Sequence, residues 1–253
     1  MGTLIWILII GAGAYFIYKN RELIEQFLNG GNKTLSQEDR VIDYFSKHAD
    51  IPGRRSSMKN ATKDEEFDAI VANSISKDEV RIRAVAELGL DESQLIEIEP
   101  IYFDNYYYGT PEDVEDVLEI FYNVKLTLND LSDKTQRKKL KEVDVIIGTG
   151  KDGKLRSSVY QVTWLFSTQN QICIYQEVIR LHNKETEKIT RQFLWRNIVS
   201  ITGSQSTLRV KEVTERYDTF RIVVPGDEFT CSMFASEYTR RSINAIRQKL
   251  TEQ

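Results

Sequence analysis

Residues 158–176 read SVYQVTWLFSTQNQICIYQ, and this stretch decides the fold class. Tyr160, Val162, Trp164 and Phe166 recur at every second position, the period of a strand that sets one face against a core. Ser167-Thr168-Gln169-Asn170 is a polar break built from turn-forming residues, so it predicts a hairpin. Ile172 and Ile174 resume the alternation. The pattern shifts near Gln176, which predicts a β-bulge there.

The chain after this hairpin keeps the same character. Residues 189–195, 197–202, 208–213 and 220–224 read as further strands. Pro225-Gly226-Asp227 is a tight turn, after which Phe229, Cys231 and Met233 form the inner face of a seventh strand. Residues 236–250 are amphipathic at helical spacing, with Ile243, Ile246 and Leu250 on one side. Before the hairpin, residues 143–147 read as a short strand and Gly148 to Gly153 as a turn-rich loop.

The residues before it change type twice. From Thr34 to about Leu95 the signals are helical. Ser36 precedes Glu38 and Asp39, with Val41, Ile42 and Phe45 as an apolar stripe. Thr62 with Glu65, and Ser76 with Glu79, are candidate capping boxes, Gly89 is a candidate C-terminal cap, and Asp91 caps one further short turn. Residues 98–109, IEPIYFDNYYYG, are aromatic and strand-like, and Thr110-Pro111 opens a short acidic helix. Residues 130–142 form a charged connector.

The N-terminus carries an uncharged run, TLIWILIIGAGAYFIY, over residues 3–18. As a helix it spans roughly 24 Å, a little short of a ~30 Å hydrocarbon core, a mismatch that thinning or snorkelling absorbs. A cleaved signal peptide is the main rival, but Met1-Gly2-Thr3 offers no basic side chain ahead of the apolar core. Lys19 and Arg21 follow the run and, by the positive-inside rule, hold that flank in the cytoplasm. The expectation is a single-pass anchor in the cell membrane with the N-terminus out and the body cytoplasmic. The segmentation is an anchor over 1–20, an amphipathic turn and hinge over 21–33, a helical module over 34–96, a mixed connector over 97–150 and a strand-rich domain over 151–253.

Seven antiparallel strands followed by one helix is the element order of a pleckstrin-homology-like domain. Residues 171–202, QICIYQEVIRLHNKETEKITRQFLWRNIVSIT, and the terminal helix resemble small bacterial domains of that superfold. Residues 150–167, GKDGKLRSSVYQVTWLFS, are similar to an uncharacterised bacterial family in which this stretch follows an aromatic segment like PIYFDNYYYG. The resemblance implies an α+β chain: a transmembrane helix, a small helical module, and a seven-stranded antiparallel barrel capped by an α-helix. In inositide-binding members the basic residues gather at the first hairpin loop. Ser167 to Asn170 carries no positive charge, which argues against that ligand.

Catalytic signals are few. His48 and His182 are the only histidines, and neither lies in a metal-ligand spacing. Cys173 and Cys231 fall in apolar strands and read as buried thiols of a reducing compartment. Gly148 to Lys154 lacks the spacing of a phosphate loop and precedes a strand instead of a helix. No cofactor and no metal are expected. Carboxylates cluster from Asp91 to Glu119; Glu97, Glu99 and Asp104 are the candidates if the chain is an Asp/Glu-based enzyme. The formal net charge of −4 argues against a general nucleic-acid binder.

Binding residues are the better candidates. Lys134, Arg137, Lys138, Lys139, Lys141, Lys151, Lys154 and Arg156 bracket the entry to the strand-rich domain. Near an anionic leaflet each is worth about 1 kcal/mol. Tyr106, Tyr107 and Tyr108 are successive, so alternate side chains leave at least one pointing outward as an interface anchor. The expected function is a non-enzymatic membrane-anchored adaptor or assembly protein. Its partners would be the membrane itself and a protein or a second copy. A lipid-binding role is the alternative, and a tethered enzyme the lesser one.

Overall fold

The computed structural model describes residues 35–48, 62–91, 93, 95, 98–108, 138, 140–210 and 213–252. In chain order they form α1 (Gln37–His48), α2 (Asp64–Ser74), α3 (Lys77–Leu88), β1 (Ile101–Tyr106), β2 (Ile147–Thr149), β3 (Leu155–Ser157), β4 (Val159–Ser167), β5 (Gln171–Arg180), β6 (Glu185–Leu194), β7 (Ser200–Val210), β8 (Val213–Val224), β9 (Asp227–Met233) and α4 (Glu237–Thr251). The apolar run 3–18 and the acidic helix after Pro111 lie outside the described residues. Among those described, no helix is long and apolar enough to cross a membrane.

The hairpin forms as its sequence requires. β4 and β5 pair from Val159↔Arg180 to Ser167↔Ile172 in unbroken register. The bulge expected near Gln176 is therefore absent. The alternation shifts there because β5 is buried on both faces, so neither parity is free to be polar. β1 pairs with β4 on one side and β6 with β5 on the other, giving an antiparallel sheet of order β1-β4-β5-β6. A second sheet has the order β7-β8-β9, and β2 and β3 form a small ladder.

The two expected strands over 197–202 and 208–213 are largely one long strand, β7, whose Gly203 and polar residues merely interrupt its hydrophobic pattern. With β1, from the aromatic segment 98–109, and the short β2 and β3, the described residues form nine strands where seven were expected. The sheets are open and do not share one continuous ladder. Between β6 and β7 the chain passes through a 3₁₀ turn at Trp195–Asn197. Between β1 and β9, Phe234 N donates to Asp104 O at 3.3 Å just past the end of β9.

Cross-strand partners share a face, and this sorts the core. Tyr102, Trp164 and Tyr175 lie in one row, Val162 in the next and Tyr160 in a third. These side chains pack with Val41, Phe45, Phe67, Ile70, Val80 and Leu88 from the three N-terminal helices. The other face carries Ile101, Phe103, Leu165 and Ile174, which pack with Phe220, Ile222 and Met233 of the second sheet and with Ile243 and Ile246 of α4. Burying each such side chain contributes about 1.5–3 kcal/mol relative to leaving it in water. The architecture is thus helices, four-stranded sheet, three-stranded sheet, with α4 against β7. At Gly203 a Cβ would stand 2.8 Å from Ile243 Cδ1, so glycine is what lets α4 approach.

Helix ends follow local chemistry in part. Ser76 accepts from Glu79 N, and Gly89, at φ +63°, closes α3 in the left-handed conformation. Asp91 Oδ1 accepts from Ser93 N at 3.0 Å. Ser236 and Thr239 form a reciprocal capping box on α4. The box expected at Thr62 does not form. Lys63 is the cap residue of α2, and Thr62 instead donates from N and Oγ1 to Asp43 Oδ2.

Candidate functional site

Three polar connections, two of them partly buried and one exposed, hold the helices to the strands and so shape what lies between them. Arg156, on β3, has a side chain only 3% exposed. Its Nε and Nη2 donate to the two oxygens of Asp68 at 2.7 and 2.8 Å, and Nη1 and Nη2 donate to Asp152 at 2.8 and 2.9 Å. The paired guanidinium hydrogen bonds hold the Asp152 carboxyl down at about 2. Asp152 N in turn donates to Asp64 Oδ2 at 3.1 Å, and Tyr44 donates to Asp64 Oδ1 at the same distance. The glycine-rich loop thus wraps a protein guanidinium. A Cβ on Gly150 would lie 2.3 Å from Arg156 Nη1.

The second connection is Glu177 on β5, which accepts from Arg83 of α3 at 2.8 and 2.9 Å and from Tyr175 at 2.6 Å. Burial raises its pKa, but these donors outweigh burial and the net shift is downward. The third is Lys188 to Glu87, at 2.5 Å.

Beside this framework, at the sheet's β1 edge, a groove opens. A cavity of about 520 Å³ is lined by Asp68 and Ile75 from the helices and by Tyr106, Tyr108, Lys154, Tyr160 and Phe234 from the strands and loops around them. A smaller one of about 280 Å³ is lined by Lys77, Tyr102, Ser236 and Tyr238. Asp104 and Phe234 line both cavities.

Asp104 sits at that junction because β1 alternates. Its even-numbered residues face the helices, and position 104 lies between the two aromatic rows. Asp104 Oδ2 accepts from Tyr102 at 3.2 Å and from Tyr160 at 3.1 Å. Burial raises its pKa, against the opposing pull of both hydroxyls and of Lys77. The Lys77 ammonium lies over the rings of Tyr102 and Trp164, 4.9 and 5.4 Å from their centroids. Two large apolar side chains mark the groove's rim, Phe234 at 46% and Tyr238 at 51% exposed. An acid, a cation and aromatic walls thus meet at one groove with an exposed aromatic rim.

The sequence candidates separate here. Tyr106, Tyr108, Lys154 and Arg156 come together around the larger cavity. Tyr106 donates to Asp68 and packs edge-on against Tyr160. Tyr107 instead lines a cavity of about 240 Å³ between the two sheets, with Gln161 and Gln176. Tyr108 is buried against Leu155 and Tyr217. None of the three is exposed, because the strand end is covered on both faces. Lys138, Lys141 and Lys151 are exposed, and Lys141 pairs with Asp39 at 2.9 Å. Lys134, Arg137 and Lys139 lie outside the described residues, as does Glu97; Glu99 is exposed.

Sequence reasoning missed Lys77, Phe234 and Tyr238. Phe234 follows Met233 directly and so breaks the inward parity of β9. Tyr238 lies off the Ile243–Ile246 stripe of α4. Each is a large apolar residue out of phase, and that was the available signal.

Among the described residues no cysteine or histidine lines the groove. Cys173 and Cys231 are buried, with burial pushing the thiols up to about 11 and about 12. His182 is fully buried with Nε2 2.8 Å from Val143 O. Among the described residues no group of three His, Cys, Asp or Glu side chains is placed to hold a metal ion. No family model, curated protein or solved structure matches this chain.

Proposed function

We propose that the chain is a membrane-anchored, non-enzymatic adaptor whose body presents the Asp104 groove to a protein partner. The observation that carries this is the pairing of a half-buried carboxylate with an exposed aromatic rim. Asp104 is kept in a place that disfavours its charge, between cavities lined by Phe234 and Tyr238. Aromatic anchors beside a desolvated polar group are the composition of binding hot spots. The body is a pleckstrin-homology-like domain of bacterial type, extended by an N-terminal helical layer. Four antiparallel strands, then three, then a terminal helix support that reading.

The apolar run 3–18, with Lys19 and Arg21 behind it, supports a single-pass anchor with the N-terminus out and the body in the cytoplasm. Its role is to concentrate the groove at the membrane. The lipid-binding alternative draws on Lys138, Lys151 and Lys154, which are exposed. It is weakened by Arg156 and Lys141, whose charges are already met by Asp68, Asp152 and Asp39.

Affinity purification of the full chain from native membranes tests the adaptor reading, with F234A/Y238A as the control. A partner recovered with the native chain and lost with the variant supports it. Head-group-selective sedimentation with liposomes, with no protein recovered, supports the lipid reading and overturns the adaptor.

A further inference from the structure

The four-stranded sheet has two edges, and they are finished differently. The β1 edge is approached by the end of β9, where Phe234 N reaches Asp104 O. At the other edge stands β6, with no strand paired to its outer side among the described residues. β6 is ten residues long and pairs with β5 in unbroken register. Glu185 to Lys188 and Thr190 to Gln192 are all exposed, beside a β5 that is almost wholly buried.

A long, regular, exposed edge strand is a template for another strand unless something blocks it. β6 has no proline and no bulge. Its charges are the remaining defence, and they are arranged to complement each other. A twofold axis at Ile189 would set Ile189 opposite its own copy, Glu187 opposite Arg191, Arg191 opposite Glu187, and Lys188 opposite Thr190. An axis at Lys188 or at Glu187 would set like charges face to face. An axis at Thr190 would set Glu187 opposite Phe193 and Arg191 opposite Ile189. An axis at Lys188 also sets Glu185 opposite Arg191, so of these four only the Ile189 register matches opposite charges twice without placing like charges face to face. Lys188, the other charge near the centre, is held by Glu87 on the helical side. Glu187 meets Arg180 at 3.6 Å, and Arg191 meets Asp227 at 3.8 Å and donates to Thr190 O at 3.3 Å.

We propose that β6 pairs antiparallel with β6 of a second copy, centred on Ile189, to join two four-stranded sheets into one of eight. This edge lies apart from the Asp104 groove, so the two readings stand or fall separately.

The test uses the full chain in detergent micelles. Across an antiparallel pair the Cα atoms lie roughly 4.5–5.5 Å apart, within the span of a disulfide. I189C should therefore form a disulfide-linked dimer under mild oxidation. R240C, on the exposed side of α4, and the native chain with its two buried thiols should not. By sedimentation, E187R and R191E should each weaken the dimer roughly tenfold, because symmetry counts each change twice. E187R/R191E should restore it, with unchanged melting temperatures. A chain that stays monomeric, an I189C yield no higher than that of R240C, or a dimer indifferent to the single reversals overturns the proposal.

Discussion

The guanidinium of Arg156 meets the carboxylate of Asp68 side-on, with Nε and Nη2 at 2.7 and 2.8 Å from its two oxygens, and so fastens β3 to α2. Arg156 is buried but the Asp68 carboxylate is half exposed, so losing the arginine removes hydrogen bonds without stranding a buried charge. R156A is expected to destabilise the body by about 1–3 kcal/mol. R156K should recover only part of the loss, because an ammonium lacks the planar fork. Denaturant unfolding of both variants checks this.

Gly150 is the tightest point of the same network. A methyl group there meets Arg156 Nη1 at 2.3 Å, Asp152 Oδ1 at 2.6 Å and Asp64 Oδ1 at 2.9 Å. These are side-chain ends, but each is held by hydrogen bonds, so they cannot move freely. G150A should cost about 1–3 kcal/mol. Its effect should be much less than additive with that of R156A in a double-mutant cycle.

His182 makes stability depend on pH. Burial lowers its pKa below the ordinary 6.5, against the pull of backbone bonds at Val143 and Ser158. The unfolded chain therefore takes up a proton that the folded chain refuses. Stability from this group is complete above about 6.5 and falls as the pH drops below it, until the folded pKa is passed. The native chain should lose stability over that window, and H182Q should show a shallower dependence. Unfolding midpoints measured from pH 7 to pH 5 decide it.

Asp104 has the opposite sign. Its pKa is raised, so its stabilising contribution is complete below the ordinary 3.8 and is lost as the pH rises through the folded value. At neutral pH the ionised carboxylate is a burden. D104N is therefore expected to raise the melting temperature at pH 7 by about 2 °C while weakening partner binding. A lowered melting temperature would mark Asp104 as a structural residue instead.

Much of this fold was legible in the chain because local chemistry and tertiary packing agree there. The Ser167–Asn170 turn, the Ser76 cap and the Gly89 stop each rest on a few adjacent residues, and each is present. The signal failed where burial is two-sided. β4 and β5 are covered by helices on one face and a sheet on the other, so the parity shift at Gln176 reflects an extra layer and no bulge. β7 looked broken because an exposed strand need not keep its hydrophobic pattern.

The site was legible in part for a related reason. Charge alone grouped Lys154 and Arg156 with the other basic residues. Only the fold shows Arg156 buried between Asp68 and Asp152, with Lys154 at the cavity wall. Asp104 is one of three carboxylate candidates for an enzyme in the sequence, but its partners come from positions far along the chain. Lys77, Tyr160 and Phe234 converge on it through β-pairing and helix packing, which no local spacing encodes.

In the proposed function a partner binds at the Asp104 groove. The most direct measurement places a photo-crosslinking amino acid at position 238 of the full chain in native membranes, with the same probe at position 240 as the control. The predicted result is one discrete crosslinked protein at 238, absent at 240 and abolished by D104R. Equal crosslinking at both positions, or a product that survives D104R in a folded chain, would contradict the account.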